Sequence, residues 1–241
     1  MPVIPEPLPS AALGALAARA RRLHAASGAR VLLGITGSPG AGKTTLARSL
    51  VAELNAEPNA ELNHGPDAAA DAPGAVHLPM DGFHLANSTL DRLGLRQRKG
   101  AIETFDGWGF VALLERVRRE VDHAVYAPAF ERDVDEPVAG EIAIEASARI
   151  VVVEGNYLLN DVEPWRRVRE VLDETWFCDT DEDERMSRLV HRHTEFGRTP
   201  AAARAWATEV DGANARRIAP ARERADLVVS GTTWGPLAVR E

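Results

Sequence analysis

Five short apolar runs recur along the chain: "VLLGIT" (31–36), "VHLPM" (76–80), "RIVVVEG" (149–155), "TWFCD" (175–179) and "ADLVVS" (225–230). They are continuous rather than alternating and rich in β-branched residues, which is the pattern of strands buried on both faces. Between them, stretches with helical periodicity cover 43–54, about 107–122, 163–171, 181–194 and 199–218. Strand and helix in alternation predict an α/β fold, a doubly wound parallel sheet flanked by helices. The N-terminal "MPVIPEPLPSAALGALAARARRL" reads as a proline-rich arm followed by a helix from near Ser10. Leu13, Leu16, Ala20 and Leu23 share one face of that helix, which is expected to pack on the domain rather than on a partner. Residues 1–30 thus form an arm and helix, and 31–241 a single domain. The segment "NAEPNAELNHGPDAAADAPGA" (55–75) lacks apolar periodicity and reads as a loose loop.

Composition narrows the function. Hydrophobic residues make up 45% of the 241, enough for a sizeable core. Lys and Arg total 28 against 36 Asp and Glu, a net charge of −8, so the electrostatic footprint of a nucleic-acid partner is missing. The five tryptophans do not interleave with basic residues as a stacking platform would. No apolar run reaches the roughly 18 residues of a membrane span, and the N-terminus lacks the basic-then-apolar order of a signal peptide. The single cysteine, Cys178, excludes an internal disulfide, reads as an inert core thiol and fits a cytoplasmic location.

"GITGSPGAGKTTLARSL" (34–50) interrupts an apolar run with three glycines before a helical pattern begins. Gly37, Ser38, Pro39, Gly40, Ala41, Gly42, Lys43, Thr44 and Thr45 contain the G-x-x-x-x-G-K-[ST] spacing of a phosphate-binding loop. Its glycines allow successive backbone N–H groups to turn inward as an anion nest at a helix N-terminus. The motif calls for ATP, with Lys43 on the β- and γ-phosphates and the Thr44 hydroxyl on Mg²⁺. Two strand ends carry carboxylates. Glu154 in "VVVEGNYLL" is placed to help Thr44 hold the metal ion. Asp81 in "LPMDGFH" either takes a proton from a substrate hydroxyl or simply opens a turn with Gly82. No histidine pair has metal-ligand spacing together with a third ligand.

The phosphate loop, "MDGFH", "RKGAIETFD" (98–106), "YAPAFER" (126–132), "VVVEGNYLL" and "RMSRLVHRH" (185–193) occur in this order. In that order they resemble the phosphoribulokinase/uridine kinase group of P-loop small-molecule kinases, which includes the bacterial-type pantothenate kinases. The likeness spans about residues 30–230 and looks closest to a bacterial nucleoside/nucleotide kinase-like branch. Uridine kinases and phosphoribulokinases resemble "DSF" at the aspartate, so Gly82 departs from them and uridine is not carried over as substrate.

The resemblance implies that Asp81 is the catalytic aspartate and Glu154 the metal carboxylate. It places Arg98, Lys99, Phe105 and Asp106 along the acceptor wall. Asp106 is equally readable as a helix N-cap. Tyr126 and Arg132 are acceptor-facing candidates or ordinary surface packing, and His84 a substrate contact or a structural histidine. Arg185, Arg188 and Arg192, spaced i, i+3 and i+7, form one stripe of a helix. The stripe is either a solvated face paired with "DEDE" (181–184) or part of a lid over about 181–200. In the lid reading Arg188 contacts the nucleotide and Arg192 the transferring phosphoryl group. The expected activity is ATP- and Mg²⁺-dependent phosphorylation of a hydroxyl on a nucleoside, sugar or pantothenate-like acceptor, with a homodimer as the default assembly. An assembly or remodelling ATPase and a nucleotide-sensing binding protein are the alternatives.

Overall fold

The structure, a computed structural model, describes residues 10–56 and 74–237. The proline-rich arm and most of the expected 55–75 loop lie outside the described residues. All five expected strands form within two residues of their sequence limits. They are β1 (Val31–Thr36), β2 (Ala75–Pro79), β5 (Ile150–Glu154), β6 (Glu174–Asp179) and β7 (Leu227–Ser230). They build one parallel sheet in the order β2-β5-β1-β6-β7.

Both faces of the sheet are covered, which explains the unbroken apolar runs. Val31, Leu33 and Ile35 of β1, with Ile150, Val152 and Trp176, pack on α1 (Ser10–Ser27) and α2 (Lys43–Ala56). Leu32, Val151, Val153 and Phe177 point the other way, against α4 (Gly107–Arg119) and α5 (Trp165–Val171). Leu46, Leu50 and Leu54 of α2 are fully buried, each worth roughly 1.5–3 kcal/mol. Leu16 and Ala20 of α1 join the same cluster, with Leu13 and Leu23 partly buried beside it, as their shared face predicts.

Three local expectations are corrected. The helix expected over about 107–122 stops at Arg119, where Arg30 reaches across to cap its end. The Arg30 guanidinium donates to the carbonyls of Val117 (2.9 Å) and Glu120 (3.1 Å), which would otherwise be open. The helix expected over 199–218 is divided into α7 (Pro200–Trp206), a π-helical turn (Ala207–Asp211) and α8 (Gly212–Ile218). Gly212, the weakest ordinary helix former, stands directly after the turn. The "YAPAFER" segment, not among the expected strands, forms one. β3 (Val125–Glu131) pairs antiparallel with β4 (Glu136–Ile144), and Pro128 sits at the register shift between Ala127 and Ala129, a bulge where its missing N–H costs nothing.

This hairpin packs on the turn after β2 and on the start of α3 (Asn87–Leu93), and residues of α6 (Glu182–Glu195) and of the α7–α8 segment line the same cleft. The strand order reverses around β1, so the carboxyl ends of β1, β5 and β2 open into a crevice, the usual ligand position of such sheets.

Candidate functional site

Leaving β1, the chain turns through Gly37 (φ +148°), Gly40 (φ +80°) and Gly42 (φ +94°) before entering α2 at Lys43. At Gly37 a side chain would run into the Cys178 carbonyl oxygen, so both conformation and space require glycine. The loop is braced from behind. Cys178 Sγ and Thr180 Oγ1 donate to the Ala41 carbonyl at 3.0 and 2.8 Å, and Arg185 Nη1 donates to the Pro39 carbonyl at 3.1 Å. Ser38 and Ala41 accordingly line a smaller cavity of 370 Å³ on the outer side of the loop, not the main cleft.

Lys43 is 7% exposed, and its Nζ donates to the Ser38 carbonyl at 3.0 Å. Burial pushes its ammonium below the ordinary lysine pKa; Glu154, Cys178 and Asp81 pull the other way, and Arg192 adds to the lowering. Glu154 ends β5, in register with Ile35 and Pro79 on either side. Its Oε1 accepts from Thr44 Oγ1 at 3.1 Å, and its Oε2 lies 3.4 Å from His77 Nε2. Burial opposes ionisation of Glu154, but His77, Lys43 and Thr44 outweigh it and hold the carboxyl below its usual range. Thr44 and Glu154 therefore present two converging hard oxygens, one of them ionised. That donor set suits Mg²⁺, which keeps most of its waters and takes one or two protein oxygens.

Asp81 lies in a 3₁₀ turn, Met80–Phe83, just past β2. Burial and the nearby Glu154 carboxylate raise its pKa, against the opposing charges of Lys43, Arg132 and Arg192. Gly82 has a steric reason: a β-carbon there would collide with the Pro128 carbonyl of the hairpin. The departure from "DSF" thus accompanies the close passage of β3 over this turn.

Around these groups runs a cleft of 790 Å³. Of the residues singled out in the sequence, Pro39, Gly40, Gly42, Lys43, Thr44, Thr45, Asp81, His84, Lys99, Phe105, Arg132, Glu154, Arg188 and Arg192 line it. The arginine stripe divides. Arg185 is 2% exposed, held by Glu182 and Pro39, and is a brace. Arg188 lies at the rim, donating to Glu184, the Gly231 carbonyl and Thr232. Arg192 faces the cleft, where its charge acts on Asp81 and Lys43.

Arg98, Asp106 and Tyr126 are not brought to the cleft. Arg98 turns outward to Glu103, and Tyr126 is 60% exposed on β3. Asp106 is the N-cap of α4, accepting from the Gly109 N–H at 2.8 Å.

Asn156, Phe130, Phe196, Trp206, Asp211 and Asn214, which no sequence pattern marks as site residues, also line the cleft. Most belong to the hairpin and to the elements at and beyond the end of α6, and only the i, i+3 spacing of Asp211 and Asn214 hinted at a shared face.

The far wall is aromatic. His84 stacks on Phe105 with centroids 4.0 Å apart and tilts against Phe130 at 4.9 Å. Lys99 stands 4.9 Å from the Phe130 centroid, donating to Asn87 and to Asp135, whose Oδ2 is 2.9 Å away. Burial, reinforced by the Lys99 charge, pushes the His84 pKa down to about 3. The unfolded chain therefore takes up this proton near pH 6.5, the folded chain only near pH 3. Stability contributed by neutral His84 is complete above pH 6.5 and is lost as pH falls from about 6.5 toward 3. His84→Gln should flatten the fall of melting temperature across that window. Parallel curves for the two proteins would show that His84 titrates normally.

The sequence profile of the Phosphoribulokinase / Uridine kinase family matches residues 32–233. Escherichia coli YggC is 34% identical over 206 residues, covering 86% of this chain and 80% of its own. A pantothenate kinase of Parvibaculum lavamentivorans is 30% identical over 228 residues, with coverages of 82% and 65%. A solved structure from Silicibacter sp. TM1040, described as a candidate fructose transport system kinase, superposes with a TM-score of 0.76 at 36% identity. It covers 90% of this chain and 98% of that one. With the phosphate loop, strand-end carboxylates and cleft in place, the chain belongs to the phosphoribulokinase/uridine kinase family of P-loop kinases.

Proposed function

We propose that the protein transfers the γ-phosphoryl group of Mg²⁺-bound ATP to a hydroxyl of a small metabolite. The observation that carries this reading is the position of Asp81. A half-buried carboxylate with a raised pKa stands just past the end of β2, within electrostatic reach of Lys43, Arg132 and Arg192. In a nucleotide-binding or remodelling protein nothing would require a base there, since the phosphates are met by the loop and Lys43.

In this reading the glycine loop and Lys43 hold the β- and γ-phosphates, and Thr44 with Glu154 would hold Mg²⁺. Bound there, the ion would neutralise phosphate charge and fix the triphosphate geometry. Asp81 accepts the acceptor's hydroxyl proton as the new oxygen–phosphorus bond forms and the bond to the β–γ bridging oxygen breaks, releasing ADP. Arg192 faces the equatorial oxygens, where charge spreads during transfer. His84, Phe105 and Phe130 form the wall against which the acceptor packs. No helix among the described residues is long and apolar enough to cross a membrane.

The test is an ADP-release screen over nucleosides, sugars, pantothenate-like acids and vitamins, with a no-acceptor control. Release should rise well above the control with one acceptor class, and mass spectrometry should find the phosphorylated product. Equal release with and without every acceptor would favour the ATPase alternative.

A further inference from the structure

Among the described residues, eight lysine and arginine side chains line the cleft against four carboxylates, Asp81, Asp135, Glu154 and Asp211. This cationic surplus occurs in a chain whose net charge is −8. Several of the cations already have partners: Lys99 and Arg96 share Asp135, and Arg188 is paired with Glu184. Lys43 and Arg192 act on the phosphate end. Arg48 stands on α2 behind the phosphate loop, and two further cations, on the hairpin and on the segment after α6, have neither a carboxylate in ion-pair range nor a side-chain hydrogen bond among the described residues. They are Arg132, at the turn of the β3–β4 hairpin, and Arg198, just past α6.

Each of these two guanidinium groups instead lies over an aromatic ring. Arg132 is 5.5 Å from the Phe196 centroid and Arg198 is 4.0 Å from that of Trp206. A guanidinium over a ring in this way satisfies its face and leaves its N–H edge, the fork that grips a carboxylate or phosphate through two hydrogen bonds, open to a ligand. The Arg132 contact also joins the hairpin to the end of α6 across the mouth of the cleft. Arg132 follows Phe130 of the aromatic wall by two residues, and its charge reaches Asp81. It therefore belongs to the acceptor end rather than to the phosphate loop.

We propose that Arg132 and Arg198 form an anion subsite for the acceptor, so that the metabolite phosphorylated here carries a carboxylate or a phosphate in addition to its reacting hydroxyl. The inference rests on the kinase reading above and narrows it. Among nucleoside, sugar and pantothenate-like acceptors it selects the charged ones. The neutral wall of His84, Phe105 and Phe130 then takes the uncharged body of the molecule, while the two arginines hold its charged group. Anchoring a remote charged group is how binding energy can be used to align a hydroxyl with the phosphoryl group.

Two measurements test it. In the first, protein saturated with Mg²⁺ and a non-hydrolysable ATP analogue is titrated calorimetrically with inorganic phosphate and, separately, with acetate. One further anion should bind. Arg132→Met and Arg198→Met, which keep much of the side-chain stem, should each weaken it about tenfold, the loss of roughly one charge-assisted contact. No further anion, or equal binding by both variants, overturns the subsite whatever the enzyme's activity.

In the second, ADP release is compared across matched pairs: pantothenate with pantothenol, fructose 6-phosphate with fructose, and a nucleoside monophosphate with its nucleoside. Turnover should favour a charged member, and which pair responds separates carboxylate from phosphate. The Met variants should raise KM for that acceptor far more than KM for ATP. Equal turnover of a charged compound and its neutral twin overturns the anion subsite but leaves the kinase reading standing. A rise confined to KM for ATP would assign both arginines to the nucleotide and likewise overturn it.

Discussion

Lys43→Ala is expected to lower the rate of phosphoryl transfer by about 10²-fold or more, several kcal/mol of barrier. The size of the effect follows from where the charge sits. Lys43 begins α2 with 7% of its surface exposed, and its ammonium is tied to the Ser38 carbonyl of the loop it would complete. In so enclosed a place the field on a phosphate oxygen is screened far less than at the surface. Folding should not suffer equally. Burial already disfavours the Lys43 ammonium, so removing it relieves a desolvation cost that its partners only partly offset. Melting temperature near wild type together with lost transfer is the expected pair of results. Turnover near wild type in Lys43→Ala would sink the P-loop kinase reading.

The five strands were legible in the sequence because a parallel strand covered on both faces has no polar positions to break its run. The phosphate loop was legible because its glycines are demanded locally, by backbone angles and by the Cys178 carbonyl behind Gly37. Asp81 and Glu154 could be found because each closes an apolar run, and strand ends at the carboxyl edge of such a sheet face the crevice. The hairpin was not legible. Most of β4 is exposed or only partly buried, so burial imposes little alternation on it, and Pro128 reads as a turn until its place in a bulge is seen.

Side-chain direction was the other limit. Arg98 and Lys99 are neighbours in one basic segment, yet Lys99 enters the cleft and Arg98 pairs outward with Glu103. Arg185, Arg188 and Arg192 share a helical stripe, but packing under Pro39 turns the first into a brace. Asp211 is displayed beside His193, at 2.7 Å, by a π-helical turn that leaves no periodic trace in the sequence. Its hydrogen-bonded place in the cleft wall is a tertiary result, as are those of Phe196 and Trp206.

Asp81→Asn should reduce acceptor phosphorylation by about 10²–10⁴-fold while leaving nucleotide affinity nearly unchanged. The substitution keeps the size of the side chain and much of its hydrogen-bonding shape, but an amide cannot take the hydroxyl proton. Burial and the neighbouring Glu154 carboxylate raise the Asp81 pKa, which makes the native group a better base than an exposed aspartate. The same two causes make its charge a burden on the fold. The neutral amide removes a like charge from beside Glu154, so stability should hold or rise, and ATP should still be met by the loop, Lys43, Thr44 and Glu154. The experiment needs the true acceptor present, because slow attack by water does not depend on a base placed for a metabolite hydroxyl. Calorimetry with an ATP analogue gives the affinity, and the phosphorylated product gives the transfer rate. If transfer survives within a few-fold, Asp81 only opens the turn that Gly82 continues beneath the Pro128 carbonyl. The carboxylate would then have no part in the chemistry, and the argument that separates a hydroxyl kinase from a nucleotide-binding relative of the same fold would be lost.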